Sequence, residues 1–219
     1  MSIRKKILAI SIGPVLVLGV ITLLFMLTMV KSSLMDEVQD ALKGTAAATL
    51  AAYDQNTGDY LESTNGDIWK GSYNISKSEN LVDRIKENTG MDVTFFYGNK
   101  RIMTSALDKK GNRILGSEAG ERVVNQVIKG KKPFFSTNVS LDGTRNYGYF
   151  IPVYQNGTTD QVIGMVFVGT NKAQKDAIVN KILGSIMMAL LVVMFLCIVT
   201  AMRMAASIST VSYTHLTLP

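Results

Sequence analysis

With 219 residues, a formal charge of +6 and 47% hydrophobic residues, the chain has room for two membrane spans and one domain of about 150 residues. Four of the positive charges (Arg4, Lys5, Lys6 and Arg203) flank apolar runs, and residues 31–181 hold 19 basic against 17 acidic side chains. There is thus no basic face of the kind that reads nucleic acid. The single cysteine, Cys197, lies inside an apolar run, which excludes a disulfide framework for the segment between the runs.

The first apolar run, Ile7 to Val30, contains no Asp, Glu, Lys or Arg. As a helix it would be about 36 Å long, enough for about 30 Å of bilayer hydrocarbon. Arg4, Lys5 and Lys6 precede it, so residues 1–6 are expected in the cytoplasm and the segment after Val30 outside. The run is longer than a signal-peptide core, and no small-x-small cleavage site lies close behind it. Pro14 falls in its first half, which membrane helices tolerate.

Lys31 to Tyr53 reads as a helical continuation, with Leu34, Val38 and Leu42 recurring every four residues and an alanine-rich end. It is either an amphipathic helix packed on its own domain or a rigid rod from the domain to the membrane. Asp54 to Asn74 is polar and glycine-bearing and reads as loop with room for one short strand; Trp69 within it is a packing residue. Ser76 and Glu79 have capping-box spacing, Leu81, Val82 and Ile85 supply an apolar face, and Gly90 ends that helix.

Strand signals come next. Val93 to Tyr97 is β-branched and aromatic, Gly98-Asn99 makes a turn, and Arg101 to Ala106 returns as the second arm. Leu107 to Leu115 is loop. Ser117 is placed to cap a short helix carrying Val123, Val124, Val127 and Ile128, ended by Gly130. Phe134 to Leu141, Arg145 to Tyr154 and Val162 to Gly169 form a meander joined at Asp142-Gly143 and Asn156-Gly157, with Pro152 arguing for an edge strand or a ladder-free position. The expected fold class is α+β: a five-stranded antiparallel sheet with helices on one face.

Asn171 to Lys181 looks helical. Ile182 to Met202 is uncharged and flanked by Lys181 and Arg203, and reads as the second span. Residues 203–210 begin a cytoplasmic linker. The closing VSYTHLTLP, residues 211–219, resembles a translated sequencing adapter and is set aside from fold reasoning. On that reading His215 is not native and the cytoplasmic output part is missing.

Chemistry-bearing motifs are scarce. There is no G-x-S-x-G elbow, H-E-x-x-H helix or G-x-x-x-x-G-K-[ST] loop, and outside the apolar runs neither cysteine nor native histidine for thiol, imidazole or zinc chemistry. The expectation is a protein that is not an enzyme and takes no cofactor or metal. The aromatic side chains Phe95, Phe96, Phe134, Phe135, Phe150 and Phe167 are assigned to core.

Two spans around one domain make a receptor layout, and here a resemblance enters. The run VDRIKENTGMDVTFFYGNKRIMTSALDKKGNRILGSEAG, with the later GYFIPVY and VIGMVFVG, resembles the single Cache sensor domain (sCache_3-like) of bacterial methyl-accepting chemotaxis proteins. The likeness covers about Tyr60 to Gly169, and RMAASIS resembles the opening of a HAMP linker. The resemblance implies a PAS-like sheet with a long N-terminal helix, and a pocket for a small carboxylate or amino acid. It also implies a homodimer in the bacterial inner membrane, meeting a chemotaxis histidine kinase and coupling protein through a cytoplasmic part.

Within the matching motifs, Arg101 and Arg113 could fork onto a carboxylate. Thr104 and Ser105 could add hydroxyls, and Tyr147 and Tyr149, on one strand face, could wall a pocket. The alternative for each arginine is a surface charge or structural ion pair, and for the tyrosines core packing. Two other readings stay open: the sensor half of a histidine kinase or diguanylate cyclase, and a structural or adhesive membrane protein without a small ligand.

Overall fold

The computed structural model describes residues 3–156 and 158–215. Gly157, half of the expected Asn156-Gly157 turn, and residues 216–219 of the adapter-like tail lie outside them. The chain divides into two compact units, Asp36–Asp176 and Met1–Met35 with Ala177–Pro219.

The second of these holds the outer portions of two long helices, α1 (Ile3–Asp54) and α4 (Lys172–His215). Both are long and apolar enough to cross a membrane. Large apolar side chains on them, among them Leu18, Phe25, Phe195 and Leu196, are exposed. Gly19 is buried against the Met194 thioether, so a small residue sits where the two helices approach.

In the unit Asp36–Asp176, α1 buries Leu42, Ala46, Thr49 and Tyr53, spaced three and four apart. The burying stripe therefore runs through the alanine-rich end, while Leu34 and Val38 are only half-buried. Small side chains let this helix lie close, and Tyr53 closes the stripe. Its ring meets Phe95 edge-on at 5.2 Å and its hydroxyl shares a 2.9 Å hydrogen bond with Ser78. Burial pushes the Tyr53 phenol far up, so it stays a neutral hydrogen-bonding group.

Residues 54–74 are more ordered than a loop. They form a three-stranded sheet of β1 (Tyr60–Glu62), β2 (Ile68–Lys70) and β3 (Tyr73–Asn74). Strands this short carry no readable alternation, and tertiary contacts hold them. The Lys70 ammonium is buried 3.0 Å from Asp54 and 4.1 Å from the centre of the Tyr60 ring. The Gln155 amide accepts from the Tyr60 N–H at 2.8 Å and donates to its carbonyl at 3.1 Å, as a neighbouring strand would.

A short 3₁₀ turn (Ile75–Lys77) leads into α2 (Glu79–Thr89), which ends at Gly90 in the left-handed conformation (φ 69°). The expected capping box does not form. Ser78 holds the cap position, and the Ser76 hydroxyl instead accepts the Ile68 N–H.

The main sheet contains β4 (Asp92–Tyr97), β5 (Lys100–Thr104), β6 (Phe134–Leu141), β7 (Thr144–Tyr154) and β8 (Val162–Asn171), in spatial order β5-β4-β8-β7-β6, every pair antiparallel. Asp142 and Gly143 both have positive φ (45° and 77°) in the two-residue hairpin between β6 and β7. Pro152 pairs with Met165 beyond the last β6 pairing, Phe134 with Phe150, so its missing N–H costs no ladder bond.

Register sorts the side chains into two faces. Thr104, Thr94, Phe167, Phe150 and Phe134 stand side by side across all five strands on the first face. Val93, Val168, Tyr149 and Phe135 line up on the second, which also carries Phe95.

Helices cover both faces, not one. The Tyr53 end of α1 sits on the Phe95 face. The other face is covered by α3 (Glu121–Val123), which continues as a π-helical turn (Val124–Lys129) and buries Val127 with Phe96, Phe150, Met165 and Phe167. This helix starts at Gly120, not at Ser117, whose carbonyl accepts the Arg101 N–H.

Residues 106–119 run along the outer edge of β5 and pair with it: Gly116 N–H reaches the Arg101 carbonyl and Ala119 N–H the Asn99 carbonyl. The edge strand is thereby closed to other chains. Arg113 staples this stretch to α2, donating to Asp83 Oδ1 at 2.9 Å and to the Thr104 carbonyl at 2.7 Å.

This packing can be tested at two points. A methyl group at Gly164 would overlap the Phe96 carbonyl, whereas nothing lies within 4 Å of one at Gly184. Gly164→Ala is expected to cost about 1–3 kcal/mol of stability by overpacking, and Gly184→Ala to cost nothing, as measured by unfolding followed by circular dichroism.

The second point concerns acid. Hydrogen bonds from Arg113, helped by its charge, hold the Asp83 carboxyl below the ordinary carboxylate range. A depressed folded-state pKa means stabilisation that is complete above the unfolded value, about 3.9, and lost as pH falls through the folded value. Asp83→Asn should therefore flatten the dependence of the unfolding midpoint on pH below about 4. An unchanged acid limb would show that the pair does not contribute.

Candidate functional site

The face of the sheet under α3 is not fully filled. Between β6, α3 and the phenylalanine row lies an open cleft of about 510 Å³, within the range of small-molecule sites. Its floor is Phe96, Phe150 and Phe167, each at most 3% exposed, and Phe134 and Leu141 wall it. The outer strand β6 brings Ser136, Thr137, Asn138 and Ser140 to the mouth, where its register slips between Ser136 and Val139. These hydrophobic rings with a few polar groups around them have the make-up of a ligand pocket.

Arg101 supplies the charge. It pairs with Phe96 across β4 and β5, one row from the phenylalanines, so it emerges on the cleft face. It is 8% exposed. Its Nη1 donates to the Ile114 carbonyl at 3.3 Å and the guanidinium lies 5.4 Å from the centre of the Phe96 ring. Its Nε makes no hydrogen bond, and among the described residues no carboxylate lies within ion-pairing distance of it.

Burial lowers the affinity of Arg101 for its proton and the field of Asp92 opposes this, yet a guanidinium stays charged. A buried cation with a free donor and no carboxylate in contact is costly, and an anion entering the cleft would relieve that cost. Two further charges line the cleft, Glu118 and Arg122, both exposed at its rim. They have opposite sign, and Arg122 lies 5.4 Å from the centre of the Phe134 ring.

Of the six candidate residues, Arg101 lines the cleft and the other five do not. Thr104 stands on the same face but is wholly buried, sharing a 2.7 Å hydrogen bond with Thr94 and accepting the Ala106 N–H. The Ser105 hydroxyl accepts the Val93 N–H and donates to Asp92, whose carboxylate also takes the Lys86 ammonium at 2.8 Å. Arg113 is committed to Asp83 and the Thr104 carbonyl. These three residues hold the strand and the loop that carry Arg101.

Tyr147 and Tyr149 do share a face, but it is the opposite one. The Tyr147 hydroxyl donates to Asp176 and accepts from Lys172 at 2.9 Å, so β7 is tied to the first turn of α4. Phe135 stacks on the Tyr147 ring at 6.4 Å.

Phe96, Phe134, Phe150 and Phe167 were expected in the core alone. They are in it, and they also form the floor and wall of the cleft. Strand parity was the available signal, since Gly148 and Phe150 must face away from Tyr147 and Tyr149. It does not say which face is left open.

The family described as single cache domain 3 matches residues 73–182. The ligand-binding domain of the Campylobacter jejuni chemoreceptor Tlp3 in complex with L-valine is similar with a TM-score of 0.50 and 11% identity, over 78% of this chain and 66% of that one. An extracellular ligand binding receptor from Desulfohalobium retbaense is similar with a TM-score of 0.47 and 15% identity, over 68% of this chain. The E. coli DcuS sensor domain gives 0.39 and 12%, over 69% of this chain and 98% of its own.

At such identities the likeness is one of fold, and the chain spans only 26% of the Desulfohalobium receptor. No curated protein matches the chain. The family match extends over half of the 219 residues, and the chain belongs to the single cache domain 3 family.

Proposed function

We propose that the chain is the sensing part of a bacterial transmembrane chemoreceptor, in which residues 31–181 lie outside the cell and report a small molecule through two membrane helices. The observation that carries this reading is Arg101: a buried guanidinium with a free donor, on the wall of a cleft floored by phenyl rings. Such a site suits a small acid or amino acid. The Tlp3 domain, which shares this fold, is described in complex with L-valine. Arg101 is the residue proposed to touch the ligand, with Thr104, Ser105 and Arg113 supporting it.

The uncharged runs 7–30 and 182–202, with Arg4, Lys5 and Lys6 before one and Arg203 after the other, support a cytoplasmic location for both ends. The exposed apolar side chains on α1 and α4 would be unfavourable in water and are at home in lipid. β8 passes into α4 without a linker, Asn171 being followed directly by Lys172, and the Tyr147–Asp176 contact clamps that junction. A ligand that favours one arrangement of the sheet would bias α4 through it, with coupling of about 1–3 kcal/mol typical of such systems.

The receptor is proposed to work as a homodimer and to reach the chemotaxis histidine kinase and coupling protein through a cytoplasmic methyl-accepting part. Such a domain encoded after Ser209 is the expected finding. A kinase or diguanylate cyclase core there would keep the sensor and change the output.

Two measurements test the reading. The full chain in lipid nanodiscs, titrated calorimetrically with a panel of small acids and amino acids, should give saturable heat with at least one, and Arg101→Met should weaken that binding at least tenfold. A folded sample that binds none of the panel would overturn the sensing role. Protease added to intact cells should cut at the Asp142-Gly143 turn. Protection there, with cleavage in the purified protein, would place the domain in the cytosol.

A further inference from the structure

The phenylalanine at the floor of the cleft rests on two glycines. Gly148 of β7 and Gly169 of β8 are cross-strand partners on the cleft face. A Cβ built on either would overlap the ring of Phe167, and one on Gly148 would also lie 2.8 Å from Val139. The ring therefore leans across the glycine pair, 4.7 Å from the centre of the Phe150 ring. Any side chain at either position would displace the ring, and with the strand below it the free direction is toward the cleft. The depth of the cleft is thus set by the absence of two Cβ atoms.

The charges around that floor constrain what can lie on it. Arg101 is the one buried cation among the described lining residues, and nothing of opposite sign meets it there. At the rim Glu118 and Arg122 cancel in charge and are exposed. The polar side chains Thr137, Asn138 and Ser140 are exposed too. Below the rim there is one positive charge and an apolar floor.

We propose that the cleft takes a singly charged organic acid, its carboxylate on Arg101 and its apolar tail on Phe167, and that the seating of Phe167 on the Gly148–Gly169 pair sets how long that tail can be. This rests on the cleft being the sensory site. A dicarboxylate would have to bury its second charge against phenyl rings, which is costly without a partner. A zwitterionic amino acid would place its ammonium near Arg101, which has no carboxylate in contact, and the one acidic side chain among the described lining residues, Glu118, is at the solvated rim. Phe167 is accordingly a specificity-determining residue, acting through shape and without polar contact.

The test uses the full chain in nanodiscs, with empty nanodiscs as the blank, titrated with acetate, isovalerate, hexanoate, succinate and L-valine. Isovalerate and L-valine share a carbon skeleton and differ in the ammonium group. Isovalerate is expected to bind at least tenfold more tightly than either succinate or L-valine. Gly148→Ala, which lifts the ring, should move the preference toward acetate. Phe167→Leu, which lowers the floor, should move it toward hexanoate. Circular dichroism of each variant shows that it is folded, and Gly169→Ala repeats the Gly148 test from the neighbouring strand.

Succinate or L-valine binding as tightly as isovalerate would overturn the singly charged class. A tail-length preference that stays put in all three folded variants would overturn the role of Phe167. If no monocarboxylate binds while another member of the wider panel does so through Arg101, this inference fails and the sensory reading stands. If nothing binds at all, both fail.

Discussion

The double burial of β4 and β8 is the constraint on which the rest of the unit Asp36–Asp176 depends. Both are interior strands of the five-stranded sheet, and residues 93–96 of one and 164–170 of the other are buried on both faces. Two apolar faces demand two covers. One is met by α1 with the aromatic group Tyr53, Tyr60 and Phe95. The other is met only in part, by the short α3, its π-helical turn and the edge-hugging loop 106–119. So short a cover does not fill the space between itself, β6 and the phenylalanine row, and the cleft is that remainder, although the rings beneath it stay buried.

The incomplete cover also explains the electrostatics. Arg101 belongs to an edge strand, where an arginine would ordinarily reach water. The loop that pairs with β5 removes that exit, accepting its Nη1 at Ile114 and leaving Nε without a partner. Arg113, twelve residues on, meets the opposite outcome, because Asp83 at the surface of α2 completes its fork. Two arginines in one motif thus do different work: one pins the loop, and the other stays without a carboxylate partner on the cleft wall.

The helices α1 and α4 connect this unit to the apolar segments by continuity of backbone. Within the unit, Tyr53 holds the last turns of α1, and Tyr147 with Lys172 and Asp176 holds the first turns of α4.

Much of the architecture was legible in the residues. The uncharged runs, the five strands, the turn at Asp142-Gly143 and the cap at Gly90 come from local chemistry, because hydropathy and left-handed backbone preference act within a few neighbours. The three short strands of residues 60–74 were not legible, being held by Lys70–Asp54 and by Gln155 from 95 residues away in the chain. Nor was the choice between Arg101 and Arg113, or between the Tyr147 face and the Phe150 face. Side-chain alternation says that the faces differ. Which face is covered, and which cation finds a carboxylate, is decided by elements distant in sequence, and only the packed tertiary structure brings those elements together.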